Sequence, residues 1–141
     1  MRTEIIQTKI KEIEDSLNLI DDHLPSTIDK FSNLGLIKDG IYKKLEFCIE
    51  SVFDVCAIIN TDLQLGTPES DDTIIDHLIH KKILHKDMGE ILRSMKGFRN
   101  ILVHRYGRIN DEIAFSIIKE HISDFHRFID IIQEMLSNPI E

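Results

Sequence analysis

Only 6 glycines and 3 prolines punctuate the 141 residues. The stretches Met1 to Leu24, Ile41 to Leu65 and Arg108 to Asn138 contain neither. Long spans without breakers favour helices over short strands joined by turns. Within them the apolar residues recur every three to four positions, the period of a helix with one buried face. A first helix is expected from about Thr3 to Leu24, with Ile5, Ile6, Ile10, Ile13, Leu17 and Ile20 as its stripe and Pro25 as its stop. A loop or short helix through Phe31 and Leu34 to Leu36 precedes a second long helix, Asp39 to Leu65, which Gly66, Thr67 and Pro68 end. Its apolar positions are Leu45, Cys48, Ile49, Val52, Phe53, Cys56 and Ile59.

Asp71 and Asp72 are expected to cap a short third helix, Thr73 to Lys82. The fourth starts near Lys86 and reaches Tyr106 or Gly107, with Ile91, Leu92, Met95, Phe98 and Leu102 facing the core and Gly107 as C-cap. Asn110 or Asp111 caps the fifth, whose apolar residues are Ile113, Ile117, Ile118, Ile122, Phe125, Phe128, Ile129, Ile132 and Leu136. The sum is an all-α antiparallel bundle of four to five helices in a single domain, 1–141, with no βαβ unit and no Gly-rich phosphate loop.

Apolar residues make up 42% and charged residues 30%, an ordinary globular balance that can bury a core without staples. No apolar run approaches the roughly 20 residues that span a bilayer, so no membrane partner is expected. The opening MRTEIIQTKIKEIEDSLNLI mixes charge with apolar residues, unlike a signal peptide, and a cytoplasmic location is expected. Cys48 and Cys56, eight apart on one helix, would lie about 12 Å apart, too far for a disulfide within the chain. They read as small buried hydrophobes of a reducing compartment.

A net charge of −8 argues against a general nucleic-acid binder. The distribution of that charge points the other way. From Ile91 to Ile109 run Arg93, Lys96, Arg99, Arg105 and Arg108 with no carboxylate. That local +5 leaves −13 on the rest of the chain, and a basic strip on an acidic body points to a focused anion site. Scattered, solvated side chains are the alternative.

Within the strip, residues 97 to 107 read GFRNILVHRYG, with Arg99, Asn100, His104 and Tyr106 threaded among Phe98, Ile101, Leu102 and Val103. Core helices usually keep polar and apolar residues on separate faces. Arg93, Asn100 and His104 share an azimuth opposite the core stripe. Arg99 and His104, five apart, point roughly 140° away from each other on a straight helix. Either the helix breaks near His104 or a second copy supplies the missing side of the site, pooling polar groups across a two-fold axis. Ile101 and Val103 extend the apolar surface in a way that suits the second option.

Arginine and histidine suit phosphodiester chemistry. Imidazole titrates near neutrality, about 6.5, and so gives or takes a proton there. A guanidinium forks onto phosphate oxygens and stabilises charge that builds in the transition state. With RNA the 2′-hydroxyl can be the nucleophile, so no protein nucleophile is needed, and no metal or other cofactor is expected. The spacing alone is weak, and a structural His104, an Arg99 salt bridge, an Asn100 cap and a core-edge Tyr106 are the plainer alternatives.

Arg99, four residues, His104, one residue and Tyr106 resemble the RX4HXY motif of the HEPN superfamily. The surrounding KGFRNILVHRYGRIND resembles more specifically the HepT branch, toxins of HEPN/MNT toxin–antitoxin pairs. Lys96 shortly before FRN and Asp111 beyond the tyrosine are further matches. The resemblance implies a HEPN bundle, a homodimer with the motif at its cleft, and metal-independent endoribonuclease activity. It makes Arg99 and His104 the catalytic pair and gives Asn100 the task of orienting His104 or the phosphate. Arg93, Lys96, Arg105 and Arg108 are candidate RNA contacts. Tyr106 would be where a partner nucleotidyltransferase antitoxin attaches AMP, blocking the cleft. Gly107 departs from the bulky residue that many relatives carry after the tyrosine. The runner-up is a non-catalytic HEPN module that dimerises and docks a nucleotidyltransferase. A free-standing helical regulator binding a small anion is a third reading.

His77, His80 and His85 lack a further ligand at metal spacing and read as surface histidines. His121 and His126 have no supporting pattern. The pairs Asp21–Asp22 and Asp71–Asp72 read as helix ends.

Overall fold

Six α-helices follow one another in a computed structural model that describes residues 1–138; the side chain of Tyr106 lies outside the described part. They are α1 (Thr3–His23), α2 (Ile28–Ser32), α3 (Leu36–Asp62), α4 (Asp71–His80), α5 (Lys86–His104) and α6 (Asp111–Ser137). A 3-10 turn, Tyr106–Arg108, joins α5 to α6. Among the described residues there is no strand, as the long unbroken spans lead one to expect.

Local chemistry explains where the helix ends differ from expectation. The short helix before the second long one forms: Thr27 caps α2 by accepting from the Lys30 N–H at 3.3 Å, and Phe31, fully buried, anchors it. Phe31 meets Tyr42 edge-on at 5.7 Å and Phe115 at 5.1 Å, joining α2 to α3 and α6. Ser70, not the aspartate pair, caps α4, its hydroxyl accepting from the Thr73 N–H at 3.1 Å. Asp71 and Asp72 instead occupy the first turn, where the helix dipole favours negative charge.

At the other end of the motif helix, α5 stops at His104 and Gly107 is not its C-cap. Arg105 takes that position with φ −123°, and the chain leaves through 3-10 geometry that needs no left-handed residue. Asn110 caps α6 as expected, accepting from the Ile113 N–H at 3.1 Å.

The central element is α3, which packs against α1, α4 and α5. Its buried residues include Ile41, Leu45, Cys48, Ile49, Val52, Val55, Cys56 and Ile59. At 100° per residue these cover more than one narrow stripe. Both cysteines are free, and burial pushes each thiol up to about 12, so they pack as neutral hydrophobes. On the outer flank of the bundle, α6 lies against α1 and α2, and the side-chain amides of Gln7 and Gln133 pair reciprocally at 2.9 Å. Not every apolar position points inward: Ile5 and Ile113 of the expected stripes are exposed, and Ile91, Ile117, Ile122 and Leu136 are half-buried.

Contrary to expectation, His77 is not a surface histidine. It is half-buried, with Nδ1 at 2.8 Å from Asn60 Oδ1, while Asn60 Nδ2 donates to the Gly66 carbonyl at 3.0 Å. The amide oxygen therefore accepts, and Nδ1 carries the proton. His80 and His85 are both exposed, as expected. No helix among the described residues is long and apolar enough to cross a membrane.

Gly89 decides how closely α4 lies on α5. A Cβ built there would stand 2.5 Å from Ile79 Cδ1 and 3.3 Å from Ile75 Cγ2, both on α4. Gly89→Val is expected to push α4 outward and to destabilise the protein by about 1–3 kcal/mol. Urea unfolding measures this; an unchanged midpoint would mean that the contact does not seat α4.

Candidate functional site

The motif lies on the last two turns of α5 and the 3-10 turn that follows. Phe98 and Leu102 face the core, and with Met95 they anchor this segment from beneath. The intervening residues are thereby turned outward. Ile101, Val103, His104, Arg105, Gly107, Arg108 and Asn100 are all exposed, and Arg99 is half-buried. The helix is continuous through His104. The five-residue offset between Arg99 and His104 is therefore not undone by a break, and the roughly 140° between their directions persists within one chain.

Arg99 sits in a defined niche. Its guanidinium carbon lies 5.7 Å from the ring centre of Phe53 on α3, and Nη2 lies 3.5 Å from Asn100 Oδ1. The same Nη2 is 3.6 Å from Asp71 Oδ2. The ring face attracts the cation, and the carboxylate offsets part of its charge. Asn100 thus touches Arg99, its neighbour in sequence, and makes no hydrogen bond to His104 among the described residues.

The basic strip is divided in two. Arg93 pairs with Asp76 and, through Nε, with Asp72 at 3.4 Å. Lys96 lies 3.6 Å from Asp72. Arg93, Lys96 and Arg99, three apart along α5, thus face Asp76, Asp72 and Asp71 of α4 in reverse order. Arg105 and Arg108 form no ion pair among the described residues; with His104 and Gly107 they line a polar recess at the end of α5. His104 makes no side-chain hydrogen bond within the described part of the chain. Tyr106, the candidate for AMP attachment, contributes only backbone to the description, at the start of the 3-10 turn.

Asp111 is not part of this recess. Its carboxylate accepts from the Tyr42 hydroxyl at 2.7 Å and from Lys38 Nζ at 2.7 Å, both on α3. This clasp fixes the first turn of α6, and so the far end of the loop that follows His104.

An apolar groove lies elsewhere. It encloses about 580 Å³ between α3, α5 and α6, with Met95, Phe98, Ile118 and Phe125 in its walls and His121, Asp124 and Arg127 at its rim. His121 Nδ1 lies 2.9 Å from Asp124 Oδ2, so it has a structural partner that the sequence did not suggest. Among the described residues no three His, Cys, Asp or Glu side chains are grouped to hold a metal ion.

An arginine–histidine motif at the end of a helix, beside two arginines with no ion pair among the described residues, agrees with the family suggested by the sequence. The family model for ribonuclease HepT-like proteins matches residues 13–132. The chain belongs to this family. It is 32% identical over 97 residues to the mRNA nuclease HepT of Shewanella oneidensis, covering 69% of this chain and 73% of that protein. Its fold matches the tri-AMPylated HEPN toxin of S. oneidensis, solved in complex with MNT antitoxin. That match has a TM-score of 0.83 and 29% identity, and covers 92% of this chain and 97% of the other. A chain of a MntA–HepT toxin–antitoxin crystal structure matches with a TM-score of 0.83 and 28% identity, covering 92% and 98%.

Two features of this HepT-like site were not anticipated: the α4 carboxylates opposite the cations, and Phe53 beneath Arg99. The first had a signal, since three cations three residues apart follow an acidic helix across a short turn. Phe53 had none beyond its place among core positions.

The clasp on Asp111 is open to test. Burial, then the hydrogen bond and charge of Asp111, raise the Tyr42 hydroxyl well above its ordinary value of about 10. A raised folded-state pKa contributes stability that is full below about pH 10 and is lost as pH rises beyond it. Tyr42→Phe should cost about 1.5–3 kcal/mol at neutral pH, the worth of a hydrogen bond to a charged group. The gap from wild type should narrow above about pH 10. Urea unfolding of both proteins at neutral and alkaline pH would reveal a gap that is absent, or constant with pH, if the clasp contributes nothing.

Proposed function

We propose that this HepT-like protein is the toxin of a HEPN/MNT pair and cleaves RNA without a metal ion. The observation that carries the reading is RX4HXY at the end of α5, with an exposed His104 beside Arg105 and Arg108, which have no ion pair among the described residues. The 2′-oxygen attacks the adjacent phosphorus and the bond to the 5′-oxygen breaks. A base takes the 2′-proton while an acid protonates the leaving oxygen. Products are a 2′,3′-cyclic phosphate and a 5′-hydroxyl. Arg99 forks onto the phosphate and offsets the charge that builds on its oxygens.

One chain holds one His104, on a different face from Arg99, and the proposed site is therefore a cleft between two copies. Support comes from Ile101, Val103 and Ile113, which are 42%, 44% and 59% exposed around the motif. Exposed apolar residues flanking a motif suit an isologous contact. The two His104 side chains of the dimer would then serve as base and acid. Arg105 and Arg108 would guide the backbone of the RNA, and Asn100 would steady Arg99. AMP attached to Tyr106 by an MNT nucleotidyltransferase would place a phosphate and an adenine at the same recess, competing with RNA for its cations. An RNA substrate of this kind would place the pair in the cytoplasm.

One observation favours the runner-up, a non-catalytic module that dimerises and docks the nucleotidyltransferase: Arg99 already has a carboxylate beside it. Cleavage separates the two. Protein shown by mass spectrometry to carry no AMP on Tyr106 is incubated with messenger and transfer RNA in excess chelator. Wild type should leave 2′,3′-cyclic phosphate ends, and His104→Ala should cut about 10²–10⁴-fold more slowly, the usual worth of a general acid or base. Arg99→Ala should lose about 10²–10³-fold. No cleavage by any of the three would favour the docking module, and equal cleavage by all three would point to another site.

A further inference from the structure

The α4–α5 ion pairs bear on how RNA would reach Arg99. Arg93 and Lys96 face Asp76 and Asp72, on a part of α5 remote from His104. Arg99 is the one cation of this ladder that belongs to the proposed catalytic pair. Its contact with Asp71 is a single long approach, 3.6 Å through one nitrogen, with side chains 21% and 32% exposed. A bidentate pair would be shorter and would use two nitrogens. The carboxylate therefore neutralises Arg99 without saturating it, and the remaining N–H donors stay available. Asp71 is free to adopt this position because Ser70 caps the helix in its stead. Phe53 on α3 and Asn100 hold the guanidinium from two other sides, so Arg99 would keep its place if Asp71 let go.

We propose that Asp71 is a built-in competitor for RNA phosphate at Arg99, a specificity-determining residue that sets how tightly this end of α5 grips a phosphodiester. The proposal rests on the ribonuclease reading. An incoming phosphate exchanges with the Asp71 carboxylate at the same guanidinium, and Asp71 is released to solvent at the start of α4. Asp72 and Asp76 cover Arg93 and Lys96 in the same manner. The phosphate track is thereby confined to Arg99, His104, Arg105 and Arg108, and does not run the length of the strip.

The test is binding of a fluorescein-labelled single-stranded RNA, followed by anisotropy across a salt series, in the unmodified His104→Ala background so that the RNA stays whole. Asp71→Asn keeps the side-chain volume and leaves the Ser70 cap intact. It should tighten binding by up to about fivefold at low salt, the equivalent of one exposed ion pair. It should also steepen the dependence of log affinity on log salt by about 0.7, the contribution of one more single-strand phosphate contact. In an Arg99→Gln background the gain from Asp71→Asn should vanish, whereas any gain from Asp72→Asn should persist. That double-mutant comparison separates competition at Arg99 from a general change in net charge. An Asp71→Asn gain that survives Arg99→Gln overturns the proposal, as does weaker or unchanged binding; either result leaves the ribonuclease reading standing. No RNA binding by any of the proteins at low salt overturns both.

Discussion

Burial of α3 over much of its circumference is the constraint on which the rest of the structure depends. A helix with one apolar stripe can settle on a single neighbour; α3 must be covered from several sides, and α1, α4 and α5 supply the cover. The hydrophobic term rewards each side chain removed from water by roughly 1.5–3 kcal/mol, so no alternative packing that exposes one face competes. The same helix then provides the floor of the functional region. Phe53 lies beneath Arg99, while Tyr42 and Lys38 hold Asp111 at the start of α6. The motif loop is thus stretched between two attachments to one buried element, and its polar residues have no place to go but outward.

Charge is arranged on top of that packing. Gly89 lets α4 approach α5 closely enough for three aspartates to face three cations. Each exposed pair contributes at most about 1 kcal/mol to stability. Their larger effect is on the field around the protein: they offset the first three cations of the basic strip and leave positive charge concentrated at the end of α5, where His104 sits. For a chain of net charge −8, this focusing separates general repulsion of nucleic acid from local attraction at one recess.

Much of this was legible in the residues. Unbroken apolar periodicity announces each of the long helices, because the helix repeat is a local property of the chain. RX4HXY is likewise local, and the family match over residues 13–132 agrees with it. The departures fall where short-range chemistry offered near-equivalent choices. Ser70 outcompeted Asp71 as a cap, and Arg105 ended α5 without using Gly107. His77 was hidden from sequence reasoning because its partner, Asn60, lies on α3, across the turn that holds Gly66.

Sequence alone determined the helical class, the position of the motif and the roughly 140° that separates Arg99 from His104 on an unbroken helix, since all three follow from spacing along the chain. Only the tertiary structure decided which cations are paired, because charge pairing depends on how close α4 comes to α5 and not on either helix by itself. It also decided that α5 is continuous through His104, which leaves Arg99 and His104 on different faces of one chain. A helix end is set by the balance of caps and the packing of the following turn, and here that turn runs into an α6 fastened to α3 through Asp111.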